Sequence, residues 1–260
     1  PFLDRRHERS IRLSAPETLE GWFALHDFRR LDQAAWRAAP PETKEKALAE
    51  ARDLLDAYAR VDDAPEGRSV TYAVVGHKAD LLLFHLRPEV GQLARLEQEF
   101  DRTLLGSMTT RPYSYLSVIE ISRHNAPEGA AENIESSPYI QARLRPEIPE
   151  HSRYVCFYPM SKKRHLTDNW YTLPSEERAR FMREHGRTGR KYAGKVTQIV
   201  TGSMGLDDWE WGVTLFADDP LQFKKLVYEM RFDEVSSRFG EFGPFYVGEK
   251  VDDLRRLFGE

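Results

Sequence analysis

The chain is poor in the groups that most readily betray a chemistry. Of its 260 residues only Cys156 is a cysteine. No intrachain disulfide can form, and cysteine-rich metal or redox centres are excluded. Cys156 itself sits in an apolar, aromatic run, where a buried and inert thiol is expected. No window approaches the roughly 20 consecutive apolar residues of a membrane-spanning helix. The first residues, 1–14, carry Arg and Asp instead of a hydrophobic signal core, and a cytoplasmic, reducing setting is the expectation. Nor does one sign of charge prevail: 38 Lys and Arg stand against 42 Asp and Glu, a net of −4. No overall field therefore draws in nucleic acid or an anionic membrane, and any anionic ligand must be met by a local basic patch.

What is present is a pattern that occurs twice. Ala79 to Leu86 reads as a buried strand, Arg87-Pro88-Glu89 interrupts it, and Val90, Leu93, Leu96 and Phe100 then recur at helical spacing. Much further on, Trp211 to Phe216 is again a strand and Ala217 to Pro220 a break, with Leu221, Lys224, Lys225 and Tyr228 in the same rhythm. The first copy extends to strands at Trp22 to Phe28, Val70 to Gly76 and Tyr113 to Ile121 and a helix at Pro41 to Arg60. The second extends to a strand at Tyr154 to Tyr158 ended by Pro159, a helix at Ser175 to His185 capped by Gly186, and strands at Val196 to Gly202 and Phe245 to Val247. Strand, helix, two strands, helix, strand is the ferredoxin-like order, so the pattern predicts an α+β chain with antiparallel sheets backed by helices. The expected organisation is an amino-terminal arm over 1–17, a first ferredoxin-like half over 18–124, a linker and loop over 125–150, and a second half over 151–260. Asn125 to Pro138 is rich in Ala, Glu, Gly, Pro and Ser and marks the linker.

The chemistry concentrates between Tyr158 and Gln198. The helix ending at His185 aims an imidazole off a rigid element. By itself this pattern fits equally a histidine that serves its own helix C-terminus. None of the other histidines, nor Cys156, stands near His185 at ligand spacing, so side chains alone do not compose a metal site. A single histidine does suffice for a haem iron, whose other ligands are porphyrin nitrogens. Tyr158, at the end of its strand, has a phenol that can bond a carboxylate or give up an electron and a proton, and it fits equally a core tyrosine. Met160, Ser161 and Lys162 follow it where a loop can bend over a ligand. Lys162, Lys163 and Arg164 form either a solvated charge run or a carboxylate-binding group. Strand alternation can turn Gln198 inward among apolar neighbours. Arg143, Arg231 and Ser236 are weaker candidates. Asp207-Asp208 and Asp218-Asp219 suit turns and caps better than a metal, and Gly202-Ser203-Met204-Gly205 is a loop, not a phosphate cradle.

Several of these segments, taken in order, resemble the coproheme decarboxylases of the chlorite dismutase superfamily, in the form found in Gram-positive bacteria and their relatives. They are Phe157-Tyr158-Pro159-Met160, Asn169-Trp170-Tyr171, His185-Gly186 with Thr188-Gly189-Arg190-Lys191-Tyr192, Gly205-Leu206-Asp207-Asp208-Trp209-Glu210-Trp211-Gly212, and Tyr228-Glu229-Met230-Arg231-Phe232-Asp233-Glu234. Trp22, His26-Asp27-Phe28 and Val75-Gly76-His77-Lys78-Ala79-Asp80 are similar to that family too, and the likeness spans about residues 18–248. The resemblance implies duplicated ferredoxin-like halves forming an antiparallel β-barrel flanked by helices. It implies that iron coproporphyrin III (coproheme), substrate and redox cofactor at once, loses two propionates as carbon dioxide to give haem b, with hydrogen peroxide as oxidant. By position, His185 corresponds to the axial ligand of the porphyrin iron, Tyr158 to the radical-forming tyrosine and Lys162 to the lysine beside the reacting propionate. Arg143, the stretch Tyr158, Pro159, Met160, Ser161, Lys162, and Gln198 and Ser236 correspond to substrate-contacting positions, and Arg231 adds charge near a propionate. Lys163 and Arg164 are then surface charges.

Chlorite dismutases carry an arginine at the place of Gln198, so chlorite chemistry is not expected. Relatives often carry an asparagine where this chain has Ser122-Arg123, which alters one contact. Family members resemble rings of five subunits, and a ferrochelatase-type enzyme is the implied donor of coproheme. A haem carrier or sensor, a chlorite-degrading or dye-decolourising peroxidase, and a cofactor-free dimerisation module are the rival readings.

Overall fold

The structure, a computed structural model, describes residues 15–122, 137–149 and 152–258. Its first half runs β1 (Thr18–Leu31), α1 (Gln33–Ala38), α2 (Pro41–Arg60), β2 (Arg68–Val75), β3 (Leu81–Arg87), α3 (Val90–Arg102), α4 (Leu104–Ser107) and β4 (Thr109–Ser122). After α5 (Pro138–Leu144) the second half follows as β5 (Tyr154–Lys162), α6 (Ser175–Arg190), β6 (Thr197–Gly202), β7 (Trp211–Ala217), α7 (Leu221–Met230), α8 (Glu234–Phe239), β8 (Gly240–Phe242) and β9 (Tyr246–Lys250). Among the described residues no helix is long and apolar enough to cross a membrane.

Hydrogen bonding joins the strands in the order β4-β1-β3-β2-β9-β5-β7-β6, and β6 returns to β4 at Val118↔Gly202 and Ile119↔Thr201. The two halves thus close one antiparallel barrel, with β2 against β9 and β4 against β6 as its seams. Closure leaves these strands without a free edge. Alternation then decides what fills the inside: Trp22, Ala24, Phe28, Tyr72, Leu82, Phe84, Tyr115, Val155, Phe157, Ile199, Phe216 and Tyr246 form a core shared by both halves. His26 belongs to it, stacked between Phe84 and Phe157 at 4.5 and 4.0 Å with Nε2 bonded to Thr214 Oγ1. Burial holds that imidazole neutral, its pKa lowered to about 3.

Helices cover the outer face, unequally in the two halves. In the first, α2 lays Ala47, Leu48, Ala51 and Tyr58 inward and α3 lays Leu93, Leu96 and Phe100, so β3 is buried on both sides along its whole length. In the second, α6 buries only Phe181 completely and packs on α7 and α8. On β6 this leaves Gln198 exposed and Val200 39% exposed.

Several boundaries differ from those the pattern suggests. β1 is longer at both ends; at the carboxyl end Asp27 and Arg29, buried and joined by Nε–Oδ1 and Nε–Oδ2 bonds of 2.8 and 2.9 Å, carry on a strand that their polarity disguises. β5 continues through Pro159. That residue lies where β5 changes neighbour, from β9 at Phe157↔Tyr246 to β8 at Met160↔Phe242, so its missing N–H interrupts no ladder on that side. Gly186 does not cap α6, which runs on to Arg190; the left-handed turn falls instead at Gly194, φ +78°. The expected loop of Thr188 to Tyr192 is therefore mostly the last turn of a helix. Part of the expected linker is α5. Residues 1–14, most of Asn125 to Pro138, and Arg123 lie outside the described residues.

α5 seals the barrel by laying Ile140 and Leu144 on Leu19 and Ile121. Its end approaches β1 so closely that a Cβ at Gly21 would run into the Leu144 carbonyl, whereas one at Gly91 would meet nothing. Gly21→Ala should cost about 1–3 kcal/mol of unfolding free energy, while Gly91→Ala should be neutral or gain up to ~1 kcal/mol. Paired denaturant titrations of the two variants check this.

Candidate active site

β5 builds the site by alternation. Its odd residues, from Val155 to Ser161, face the barrel side, and its even residues, Cys156, Tyr158, Met160 and Lys162, face the helices. Pairing extends the outer face across the sheet, with Cys156 beside Leu215 and Leu215 beside Gln198, and Tyr158 beside Val213 and Val213 beside Val200. Gln198 consequently does not point into the core, as the alternation first suggested; Ile199 does. Gln198 instead occupies the same outer face as Tyr158, and it is exposed there because α6 does not pack down on β6. Pro159 and Ser161 stand on the opposite side, with Ser161 Oγ 3.3 Å from the Glu210 N–H. Arg143, on α5, is exposed with its guanidinium over Tyr139 at 5.8 Å, and no contact ties it to the cluster.

Tyr158 is 6% exposed and stacks on Phe245 at 4.4 Å and 24°. Burial pushes its ionisation well above the usual phenol range, against the pull of the nearby Arg231 charge, so the group is a protonated phenol at neutral pH. Its hydroxyl forms no hydrogen bond with any other described residue. Arg231 lies 3.6 Å over the Phe242 ring, on the same side of the sheet. Cys156 is buried, its thiol pushed up to about 12, and is inert as expected.

Lys162 is 8% exposed, its ammonium 5.0 Å over the Trp170 ring. Trp170 in turn packs with Phe181 of α6 and Phe239 of α8. Burial lowers the Lys162 pKa to about 8, with Asp233 and Glu210 acting in the opposite direction. It is therefore largely cationic at neutral pH.

His185 lies inside α6, not at its end, which removes the reading of a histidine serving its own helix terminus. Its Nδ1 is bonded to Asp233 Oδ2 at 2.9 Å. The other Asp233 oxygen accepts the Ser236 N–H at 2.8 Å and caps α8. One carboxylate thus fixes both a helix and an imidazole, and it leaves Nε2 as the lone-pair nitrogen, unpartnered among the described residues. Burial opposes ionisation of Asp233, but the bonds from His185 and Ser236 win and hold its pKa below the ordinary 3.8. Sequence reasoning gave Asp233 no role. The available signal was its place as an N-cap residue directly after Arg231-Phe232.

These residues suit a flat, carboxylate-edged ring. An imidazole nitrogen is available as an axial ligand. The helix and sheet carry exposed apolar surface in Met182 and Val200, each 39% exposed. Lys162, Arg231 and the Ser236 hydroxyl offer charge-assisted and neutral donors for carboxylates, and an unpartnered phenol lies beside them. Among the described residues no cluster of three or more His, Cys, Asp or Glu could hold a bare metal ion. Gly189 lets α6 approach α7, since a Cβ there would touch Met230 Cε at 3.3 Å. A hollow of about 730 Å³ lies elsewhere, between α2, β2 and Lys250 to Arg255. Two of its arginines, Arg68 and Arg255, are paired with Glu147 and Glu45, and its His85 is bonded to Ser69.

The sequence profile of the chlorite dismutase family matches residues 44–251. A coproheme decarboxylase of Thermus thermophilus is 51% identical over 244 residues, which cover 93% of this chain and 96% of that protein. The solved structure of a heme-binding protein from Thermus thermophilus superposes with a TM-score of 0.87 at 50% identity, over 95% of this chain and 98% of the other. A chlorite dismutase variant of Candidatus Nitrospira defluvii superposes with a TM-score of 0.73 over 92% of this chain and 95% of its own. Its identity is 20%, so it speaks for the fold alone.

The depressed Asp233 pKa has a definite sign in linkage. Ionised Asp233 stabilises the folded state above the ordinary aspartate pKa, and that contribution fades as pH falls through the lower, folded value. Asp233→Asn should be less stable than the parent at neutral pH, and the gap should close as pH falls below the ordinary aspartate value through the depressed folded one. Urea denaturation of both proteins across that range measures it.

Proposed function

The chain belongs to the chlorite dismutase family, and from that membership we propose that it is a coproheme decarboxylase, converting two propionates of iron coproporphyrin III to vinyl groups and giving haem b. The observation that carries this reading is the shared face of β5: a protonated, unpartnered phenol and a buried ammonium two pairs of residues apart on one strand, with the Asp233-oriented His185 on α6. A carrier of haem has no use for that pairing.

Each propionate consumes one hydrogen peroxide and one proton and yields one vinyl group, one carbon dioxide and two waters. When bound, the substrate's iron supplies the redox centre that reacts with peroxide. His185 Nε2 would hold it from the α6 side, the ring being oriented by the bond between Nδ1 and Asp233. Tyr158 delivers an oxidising equivalent: having lost its electron and hydroxyl proton, it removes a hydrogen atom from the propionate β-carbon and regains the phenol. Lys162 would hold the reacting carboxylate until carbon dioxide leaves, the one electron released with it returning to the substrate's oxidised iron centre. Arg231, Ser236 and Gln198 would meet the ring edge and distal side, and Arg143, Met160 and the Pro159 and Ser161 backbone are further contacts in this proposal. An amide at Gln198 leaves the distal side less cationic than the arginine of chlorite dismutases. We further propose a cytoplasmic homopentamer supplied by a ferrochelatase-type donor, with light scattering as the test of the ring.

Titrating the protein loaded with iron coproporphyrin with peroxide should remove two carbon dioxide masses from the porphyrin, and a porphyrin of unchanged mass sinks the reading. Tyr158→Phe should bind the porphyrin with near-parental affinity and lose turnover by at least about 100-fold. His185→Ala should change the iron absorption spectrum; an unchanged spectrum removes His185 as ligand.

A further inference from the structure

Glu210 precedes β7 and is 6% exposed, deep burial for a carboxylate. Its backbone N–H bonds Met160 O at 3.1 Å and approaches Ser161 Oγ, and its carbonyl accepts the Ser203 N–H at 2.9 Å. Its Oε2 accepts the Lys162 backbone N–H at 2.7 Å, and Oε1 faces the exposed Arg164 guanidinium at 3.6 Å. The residue therefore clasps three successive residues at the end of β5. A glutamine could make the same amide contact without the cost of burying charge, and the exposed Arg164 at 3.6 Å offsets that cost only weakly, so the charge calls for a further reason.

The reason lies next to it. The Lys162 ammonium is buried, and no carboxylate oxygen among the described residues lies within ion-pair distance of it. Two anions act on it through space, Asp233 from the α8 side and Glu210 from the β7 side. On the strand's own extension Arg164 opposes them, and across α6 His185 is bonded to Asp233. Asp233 is already committed to His185 and the α8 cap. The buried Tyr171 hydroxyl lies beside Glu210 as well, and burial together with Glu210 keeps it protonated.

We propose that Glu210 is a positioning residue for Lys162: it pins the end of β5 through the Lys162 amide and supplies the negative charge that keeps the buried ammonium cationic for an incoming substrate carboxylate. This deepens the decarboxylase reading, but the geometry stands on the protein alone. Lysine is cationic below its pKa, so withdrawing a neighbouring anion moves its loss of charge to lower pH.

The test follows the Lys162 signal of the ligand-free protein by NMR with ¹³Cε-labelled lysine, from about pH 6 to about pH 10. The parent should titrate near 8. Glu210→Gln should lower the midpoint by about half a unit or more, and Glu210→Asp, which keeps the charge, should restore most of it. Equal midpoints in the parent and Glu210→Gln, or equal shifts in the Gln and Asp variants, overturn the proposal. Should Glu210→Gln fail to fold, Lys162→Met decides: it leaves the buried carboxylate only the exposed Arg164 as counter-charge, so adding Glu210→Gln should raise its melting temperature, and an equal or lower value overturns the pairing. In peroxide titrations Glu210→Gln should lose activity at lower pH than the parent on the alkaline side. A parent that releases no carbon dioxide refutes the decarboxylase reading and leaves the NMR result to judge Glu210.

Discussion

The alternation of β5 is the constraint on which the rest of the molecule depends. This strand is central, held by β7 on one side and by β9 and then β8 on the other. Its odd residues complete the barrel core with Val155 and Phe157, and its even residues present Tyr158, Met160 and Lys162 to the helices. Core and site are thus two faces of one nine-residue segment. Neither can shift in register without the other, because a slip of one residue exchanges the faces.

The duplication supplies the frame, and its asymmetry supplies the site. In the first half alanines at 47 and 51 let α2 settle on its sheet, and the groups beneath, including Arg87 paired with Asp63, are buried and committed. In the second, α6 is basic, exposed and supported mainly by α7 and α8. Of the sheet beneath it, β6 stays exposed at Gln198 and Val200, and its imidazole is held from the side by Asp233. Related topology therefore produces one half whose β3 is buried on both sides and another whose β6 is exposed on its outer face. The difference lies in which helix carries small apolar residues.

Much of this was legible in the sequence. The strand-helix grammar gave the order of elements because hydrophobic spacing of 2 or 3.6 is imposed locally by burial. Family-like segments singled out Tyr158, Lys162 and His185 as candidates. What escaped was decided by partners distant in the chain. The continuation of β5 through Pro159 depends on a change of neighbour between β9 and β8, and the outward set of Gln198 depends on barrel closure. Gly186 remains helical within an α6 that packs on α7 and α8. Asp233 and Glu210 were hidden for a similar reason: each acts on a residue 48 positions away.

Pro159 also bears on how the chain arrives at this arrangement. A strand threaded one residue out of step would place its proline opposite a neighbour that seeks an amide proton, and the proline has none to give. The mispaired barrel, with Tyr158 and Lys162 buried among the core aromatics, would lack a hydrogen bond from the outset and would carry an ammonium in hydrocarbon. A residue without chemistry of its own in the reaction thereby penalises the one folding error that would turn the reactive groups to the wrong side.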